Sequence, residues 1–418
     1  MIMPPTITSL SPTSGPTAGG NNVIITGSGF VGPASVLFGG TATIFTIDSP
    51  TRITALAPPG TGTVQVVVTT PEGSSNGVPY TYAGAPSLSG VSPSQGPTSG
   101  GNTVTLTGAN LATATAVRFG VTPAVSFTVV SAGQITATAP PGAGTVQVTV
   151  TTPSGTSNGI SYTYVAAPTL SGVSPNQGPT AGGNTVTLTG ANLAGATMVR
   201  FGVTPAVSFT VVSDGQITAT VPAGCAGVVD ITVVTPGGSG TLAGSYFYLN
   251  TPAFTGIVPD SGPLAGGDTV TLTGTDLVAA TAVHFGVTPA ASFTVVSAGL
   301  ITATTPPGTG TVEVTVTTPG GTSNAISYTY LPTPTVTESN PGQGPTAGGN
   351  TVTLTGSALA RTNAVLFGAT PAAFAAVSDN HLVAVAPAGA AGPTPITVTT
   401  PGGISAPVTY TRIPPPVI

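Results

Sequence analysis

The side chains that could do chemistry are few and widely separated. The 418-residue chain has two histidines, one cysteine, five basic residues, all arginine, and ten acidic residues. His284 and His381 belong to different parts of the chain, and Cys225 has no second cysteine with which to form an internal bridge. Catalysis needs a base, a nucleophile or a metal in a shared pocket. The sequence therefore predicts no catalytic, cofactor-binding or metal-binding residues, and an enzyme is the least favoured class.

Each of these residues has a functional and a structural interpretation. A shared metal or catalytic group would require the regions of His284 and His381 to dock, so two solvated histidines are favoured. His381 is expected in a turn. Cys225 lies in an A-G-C-A-G loop, where an incidental thiol is favoured over a nucleophile. A disulfide between two chains is the alternative for Cys225.

The acidic residues recur at turn positions. Asp260, Asp268 and Asp276 occupy places where neighbouring stretches have asparagine. Because Asx side chains cap their own backbone in turns, capping is the favoured role, and calcium at a domain junction is the alternative. The same capping role is expected in a second recurring turn for Asp48, Asp214 and Asp379.

Charge and hydropathy exclude two classes of partner. The formal net charge is −5 and the arginines are scattered, so the chain lacks the basic patch that nucleic-acid binding needs. Its apolar runs are far shorter than the roughly 18 residues that span a bilayer. We therefore expect neither nucleic-acid binding nor membrane insertion. Neither terminus shows a secretion signal or an anchor, so a signal has been removed, export is unconventional, or the protein does not follow that route.

A repeat fills the chain. The string G-P-[TL]-[AS]-G-G occurs once per unit of about 80 residues and begins at Gly15, Gly96, Gly178, Gly262 and Gly344. Within each unit, alternating segments such as T-V-T-L-T and V-Q-V-T-V are bounded by glycine and proline, which is typical of short strands in a β-sandwich. The sequence predicts an all-β chain of five tandem immunoglobulin-like sandwiches. The predicted repeats are 4–82, 86–164, 168–248, 252–330 and 334–412, followed by a proline-rich tail, 413–418.

Aromatic residues recur with the same period. Phenylalanines precede the glycine of an F-G step, further phenylalanines lie on the next strand, and a Y-x-Y pair ends each of the first four units. In the fifth unit Tyr410 is followed by Arg412 in place of the second tyrosine. We expect both phenylalanine sets and one face of the last strand to form the core. The glycines of G-P-x-x-G-G are expected to supply backbone conformations for a tight reversal.

These motifs resemble those of IPT/TIG domains, of the type found in tandem in bacterial surface proteins. The resemblance rests on the G-P-x-x-G-G opening, on T-V-T-L-T-G, on the F-G step and on the closing Y-x-Y. It implies an early-set immunoglobulin-like sandwich. It does not imply a single function, because one fold hosts many functions.

The linkers suggest what the array does. Only three residues separate each closing strand from the proline that opens the next unit, which favours a semi-rigid rod of about 180 to 200 Å. We therefore predict a non-enzymatic, extracellular or surface-exposed structural or adhesive protein. Its partners would be proteins, including further copies of itself in a fibre or coat. The alternatives are a glycan-binding or receptor-like module and a phage virion decoration or tail component.

Overall fold

The computed structural model describes residues 3–32 and 35–415. It is 61% strand and 0% helix and contains five immunoglobulin-like sandwiches, so the predicted fold class is confirmed. The expected tail 413–418 is only partly described: Ile413 ends a strand, and 416–418 lie outside the described residues.

Within residues 3–32 and 35–415, forty-nine strands are distributed over the five units. The first unit contains β1 (Thr6–Ser11), β2 (Ser14–Pro16), β3 (Asn22–Ser28), β4 (Ser35–Phe38), β5 (Thr41–Ala42), β6 (Phe45–Ser49), β7 (Arg52–Leu56), β8 (Gly62–Thr70), β9 (Gly73–Ser74) and β10 (Val78–Ala83). The second contains β11 (Ser87–Ser92), β12 (Gln95–Pro97), β13 (Thr103–Ala109), β14 (Ala116–Phe119), β15 (Thr122–Pro123), β16 (Ser126–Ser131), β17 (Gln134–Thr138), β18 (Gly144–Thr152), β19 (Gly155–Thr156) and β20 (Ile160–Val165). The third contains β21 (Thr169–Ser174), β22 (Gln177–Pro179), β23 (Thr185–Ala191), β24 (Met198–Phe201), β25 (Thr204–Pro205), β26 (Ser208–Ser213), β27 (Gln216–Thr220), β28 (Gly227–Thr235) and β29 (Gly238–Leu249).

The last two units repeat the order of the second. The fourth contains β30 (Ala253–Val258), β31 (Ser261–Pro263), β32 (Thr269–Thr275), β33 (Ala282–Phe285), β34 (Thr288–Pro289), β35 (Ser292–Ser297), β36 (Leu300–Thr304), β37 (Gly310–Thr318), β38 (Gly321–Thr322) and β39 (Ile326–Leu331). The fifth contains β40 (Thr335–Asn340), β41 (Gln343–Pro345), β42 (Thr351–Ser357), β43 (Ala364–Phe367), β44 (Thr370–Pro371), β45 (Phe374–Ala376), β46 (His381–Val385), β47 (Gly392–Thr400), β48 (Gly403–Ile404) and β49 (Val408–Ile413).

The second unit shows how each sandwich is built. One sheet has the order β11-β13-β17-β16, and the other has the order β12-β20-β18-β14-β15, with β19 beside β18. The alternation of T-V-T-L-T fixes the faces of β13, because Val104 and Leu106 are fully buried while the threonines point outward. Across the sheet, Leu106 lies opposite Ile135 on β17. A one-residue slip would turn this apolar face to solvent, so the pattern sets the register.

Entry and exit of the chain lie at opposite ends of a unit. The first strand changes sheets: β11 pairs antiparallel with β13, whereas β12 pairs parallel with the last strand, β20. Since β11 and β12 run in the direction of β20, the chain enters at one pole of the sandwich and leaves at the other. Each unit therefore adds its long dimension to the chain of units.

Aromatic rings fill the core beside this parallel pair. Phe119 packs edge-on against Tyr162, with ring centroids 5.1 Å apart, and Tyr162 packs in the same way against Tyr164. All three rings are buried. Phe127, from the second phenylalanine set, is only partly buried and packs against the edge of the core. The two sets therefore differ in depth, because the strand of Phe127 is the outermost of its sheet.

The first glycine of G-P-x-x-G-G is required for a reason that the sequence does not show. A Cβ on Gly96 would lie 2.0 Å from the Tyr162 hydroxyl, which donates a 3.0 Å hydrogen bond to Oδ1 of Asn102. By contrast, Gly101 has a φ of +85° and open space around its Cα. Gly101 matches the expected reversal, whereas Gly96 makes room for a hydroxyl from the last strand.

Replacing these two glycines separates the two roles. We expect Gly96→Ala to destabilise the second unit by about 3 kcal/mol, because the methyl group displaces Tyr162 and Asn102. Gly101→Ala adds only backbone strain, about 1 kcal/mol. Hydrogen exchange of the second unit within the full chain, with the other units as internal references, measures both. Equal losses for the two variants would contradict the assignment.

Candidate functional site

The structure does not bring together the residues that sequence analysis selected for chemistry. His284 is half-buried on β33, where it points away from the core face of that strand. His381 is exposed; it is the last residue of the expected turn Ser378–His381 and the first residue of β46. The backbone N–H groups of Val377 and Ser378 both donate hydrogen bonds to the carbonyl oxygen of His381. Cys225 is exposed in its loop.

The recurring aspartates do not all cap their own turns. Asp214 accepts hydrogen bonds from the backbone N–H groups of Asn192, at 3.2 Å, and Ala194, at 3.4 Å, and so ties two loops together. Asp379 accepts in the same way from Ala358. Asp48 lies within β6 and forms an ion pair with Arg52. Assigning all three to self-capping turns was wrong, because their partners lie elsewhere in the sheet or on the facing loop.

The aspartates of the fourth unit also play separate roles. Asp268 stands where the other units have an asparagine bonded to the buried tyrosine hydroxyl, and its charge lies near Tyr328. Asp276 has a φ of +58°, like Asn110 and Asn192 at the matching places. Over residues 3–32 and 35–415, no three His, Cys, Asp or Glu side chains form a metal-binding group. The same residues include no helix long and apolar enough to cross a membrane.

The paired tyrosines are the titratable groups that the fold perturbs most. Burial raises the pKa of Tyr162, while its hydrogen bond to Asn102 opposes the shift. Burial and then the neighbouring Tyr246 raise the pKa of Tyr248 to about 12. Burial and then Asp268 raise the pKa of Tyr328 to about 12. The hydroxyls serve structure, since Tyr164 and Tyr248 donate to the carbonyls of Pro140 and Pro222.

These shifts predict alkaline unfolding. The unfolded chain releases tyrosine protons near pH 10, whereas folded Tyr248 and Tyr328 keep theirs to about pH 12. Between these values the folded state binds more protons, so stability is complete below pH 10 and falls as pH rises. Circular dichroism at increasing pH measures the loss. In Tyr248→Phe, hydrogen exchange in the third unit should depend less on pH above 10, and an unchanged dependence would contradict this origin.

Arg412 replaces the second tyrosine of the pair in the fifth unit. It is only 6% exposed, so it takes the buried place of the tyrosine as well as its position in the sequence. Its guanidinium donates to the Pro387 carbonyl at 3.1 Å and to the Thr394 hydroxyl at 3.1 Å. The bond to Pro387 reproduces the tyrosine-to-carbonyl bond of the second, third and fourth units. Its Nε has no hydrogen-bond partner in the described part of the chain.

Restoring the tyrosine should stabilise the fifth unit. A buried cation that is not paired with a carboxylate costs free energy that a neutral ring avoids. We expect Arg412→Tyr to raise the free energy of unfolding of this unit by about 1 kcal/mol, with Arg412→Ala lowering it through the lost packing. Hydrogen exchange of the fifth unit within the full chain measures both. A less stable Arg412→Tyr variant would show that the guanidinium is the better fit.

The linkers are held at both ends. In the linker between the second and third units, Thr98 of the second unit donates to the Val165 carbonyl at 3.1 Å. Asn192 of the third unit donates from Nδ2 to the Ala167 carbonyl, also at 3.1 Å. Only Ala166 lies between these two anchored residues, and its carbonyl faces Gly237, where a Cβ would lie 2.1 Å away. Every residue from Val165 to Ala167 therefore contacts one of the two units that the linker joins.

The other junctions use related contacts. Asn110 donates to the Ala85 carbonyl at 3.0 Å, and Thr251 and Thr333 donate to carbonyls of the units that follow them. Arg361 of the fifth unit reaches Ser261 of the fourth at 3.4 Å. Small cavities of about 240 and 200 Å³ lie at matching places beside the last two linkers. Sequence reasoning predicted short linkers, but it missed the side chains that fix them.

One exposed aromatic residue was also missed. Phe247 is 42% exposed on β29 and lies opposite Val228, which is 54% exposed. Among the described residues, every other phenylalanine and tyrosine is buried or half-buried. The Y-F-Y order was the available signal, because alternation places the middle residue on the face opposite the two tyrosines.

Comparison with known proteins identifies the repeated unit. The model of the IPT/TIG domain family matches residues 5–82, 86–164, 168–248, 252–330 and 334–411. Fibrocystin-L of Mus musculus is 27% identical over 291 residues, which cover 65% of this chain and 7% of that protein. The chain therefore spans a small part of the length of this curated relative.

Two solved structures illustrate the similarity. The plexin A4 full extracellular region is 17% identical, with 96% of this chain and 43% of that chain covered and a TM-score of 0.31. SGBP-B from a complex xyloglucan utilization locus in Bacteroides uniformis is 21% identical, with 47% and 58% covered and a TM-score of 0.21.

Proposed function

The chain belongs to the IPT/TIG domain family, and from this premise we propose that it is a non-enzymatic structural or adhesive rod exposed at a cell surface. It holds the two ends of the five-unit array apart and acts through protein contacts. The observation that carries this proposal is the fixation of the linkers. A linker bonded to both of its units transmits orientation from one sandwich to the next, so length becomes a property of the array.

The remaining surface supports a role without turnover. His284, His381 and Cys225 belong to three different units and share no pocket. The deepest side chains, such as Tyr162 and Phe119, complete the core and are inaccessible to a substrate. What the array offers a partner is an extended threonine-rich surface with few charges.

Glycan binding is the second candidate. Phe247 and Val228 form an exposed apolar pair in the third unit, and aromatic side chains often stack on sugar rings in binding sites. A Phe247→Ala variant that loses retention on a glycan array would favour this function. The single exposed aromatic residue makes it the weaker candidate.

Small-angle scattering of dilute full-length chain tests the rod. We expect a maximum dimension of about 180 to 200 Å and a radius of gyration of about 55 Å. Insertion of Gly-Ser-Gly-Ser after Ala166 should lower the average end-to-end distance and broaden its distribution, because it separates the two anchored carbonyls. The same insertion in the loop at Gly142, within a unit, is the matched control.

The outcome that contradicts the proposal is a compact particle. A single globule of this length would have a radius of gyration of about 22 Å. An inserted linker with no effect on the distance distribution would show that the junctions are already free to bend.

A further inference from the structure

Three units present an identical uncovered strand at the edge of a sheet. The strands β16, β26 and β35 all have the sequence S-F-T-V-V-S, and each is the last strand of its four-stranded sheet. We call these three strands the open edges. Each pairs on one side only, β16 with β17 over Ser126 to Ser131. Within the described part of the chain, no strand pairs with their outer side.

The composition of the open edges is typical of edge strands that pair with a strand of another chain. They contain no charge, proline or glycine, and they are rich in β-branched residues. In an antiparallel ladder, alternate residues direct their N–H and C=O groups away from the neighbouring strand. About half of the residues in each open edge therefore offer backbone donors and acceptors to an incoming strand.

The equivalent strands of the two terminal units are blocked. In the first unit, β6 carries Asp48, which is exposed and paired with Arg52 at 3.4 Å. In the fifth unit, β45 has only three residues, Phe374–Ala376. Charges and shortening are two of the devices by which proteins prevent pairing at an edge. The chain applies them in its terminal units and omits them in its three middle units. A register shift of the β-bulge type lies near the end of each open edge, between Val129 and Ser131 in β16, so the regular part of that edge is Ser126–Val129.

The opposite edge of the same sheet is also closed. In the second unit, the side chain of Asn158 accepts from the Leu88 N–H at 2.9 Å and donates to the Leu88 carbonyl at 3.0 Å. Asn76 and Asn324 do the same for Ile7 and Phe254 in the first and fourth units. In the second and fourth units, an asparagine amide thus occupies the place of a pairing strand on one edge while the other edge stays open.

We propose that the open edges bind a second copy of this chain by strand pairing. Two identical strands of this kind can pair about a two-fold axis, with each residue contributing the same surface from both copies. Neither strand brings a charge that the contact would bury, and a net charge of −5 over 418 residues gives weak repulsion between chains. This inference rests on the proposed structural role and supplies its partner.

The number of edges compensates for their size. One six-residue edge is much smaller than the roughly 800 Å² per partner of a stable interface. Three edges on one chain allow several weak contacts to act together, so that association strengthens without any new kind of contact. Association is therefore expected to depend on how many edges remain intact.

Lysine substitution at the edges provides the test. Thr128, Thr210 and Thr294 are exposed, and each occupies the third position of an open edge. The triple variant Thr128→Lys, Thr210→Lys, Thr294→Lys places one charge on every edge. Its matched control is Thr103→Lys, Thr185→Lys, Thr269→Lys. These threonines are also exposed and lie on the same sheets, but on β13, β23 and β32, which are paired on both sides.

Sedimentation velocity of the full chain from about 1 μM to about 1 mM measures the association. We expect the native chain and the control to associate reversibly and the edge variant to raise the Kd about tenfold or more. Thr128→Lys alone should have an intermediate effect. Hydrogen exchange should slow in Ser126–Ser131 as the native chain associates, because the outward N–H groups become bonded.

Two results would overturn the proposal. One is a native chain that keeps the 40.0 kDa monomer mass over the whole range, and the other is an edge variant that associates no more weakly than its control. Scattering at low concentration separates this inference from the proposed function. Extended monomers that never associate would support the rod and contradict the strand pairing. Compact particles that associate would contradict the rod and leave the strand pairing standing.

Discussion

The hydrogen bond between a buried tyrosine hydroxyl and an asparagine is the constraint on which the first, second, third and fifth sandwiches depend. In the second unit, Tyr162 on the last strand bonds to Asn102, the residue before β13, and Gly96 on β12 leaves space for the hydroxyl. One polar atom thereby joins the last strand to two segments that lie about 60 residues earlier in the chain. The same hydrogen bond lies beside the parallel pair of β12 and β20. Because these two strands are parallel, the chain leaves the unit at the pole opposite the one at which it enters.

The polar contacts at the junctions extend this order from one unit to the next. The strand that Tyr162 anchors ends at Val165, where the linker to the third unit starts. Asn192 adopts a left-handed backbone conformation, with a φ of +59°, and its side chain reaches the Ala167 carbonyl. Asp214 in turn bonds to the backbone of Asn192. The loop that contains Asn192 has no distinctive sequence motif, yet it holds the linker in place.

Local patterns were sufficient to predict the fold. The alternation around Val104 and Leu106 identifies a strand and its buried face, and the repeated G-P-x-x-G-G string gives the number of units. Contacts between distant residues were not predictable in this way. The need for a glycine at position 96 depends on Tyr162, and the role of Asp214 depends on a loop about 20 residues earlier. The burial of Arg412 required knowing that Pro387 offers it a carbonyl. The open edges were also hidden, because the order of strands in a sheet is set by pairing between distant segments.

The parallel pairing of the first and last strands determines how a unit responds when its neighbours pull on it. A tensile force enters at one pole and leaves at the other, so it acts along β12 and β20 in opposite directions. The bonds between Gln95–Pro97 and the last strand are then sheared together, and none can open until several yield. A unit whose terminal strands were antiparallel neighbours, with both ends at one pole, would unzip one bond at a time. The pairing of Gln95–Pro97 with the last strand therefore sets the direction of the chain and also resists its extension under force.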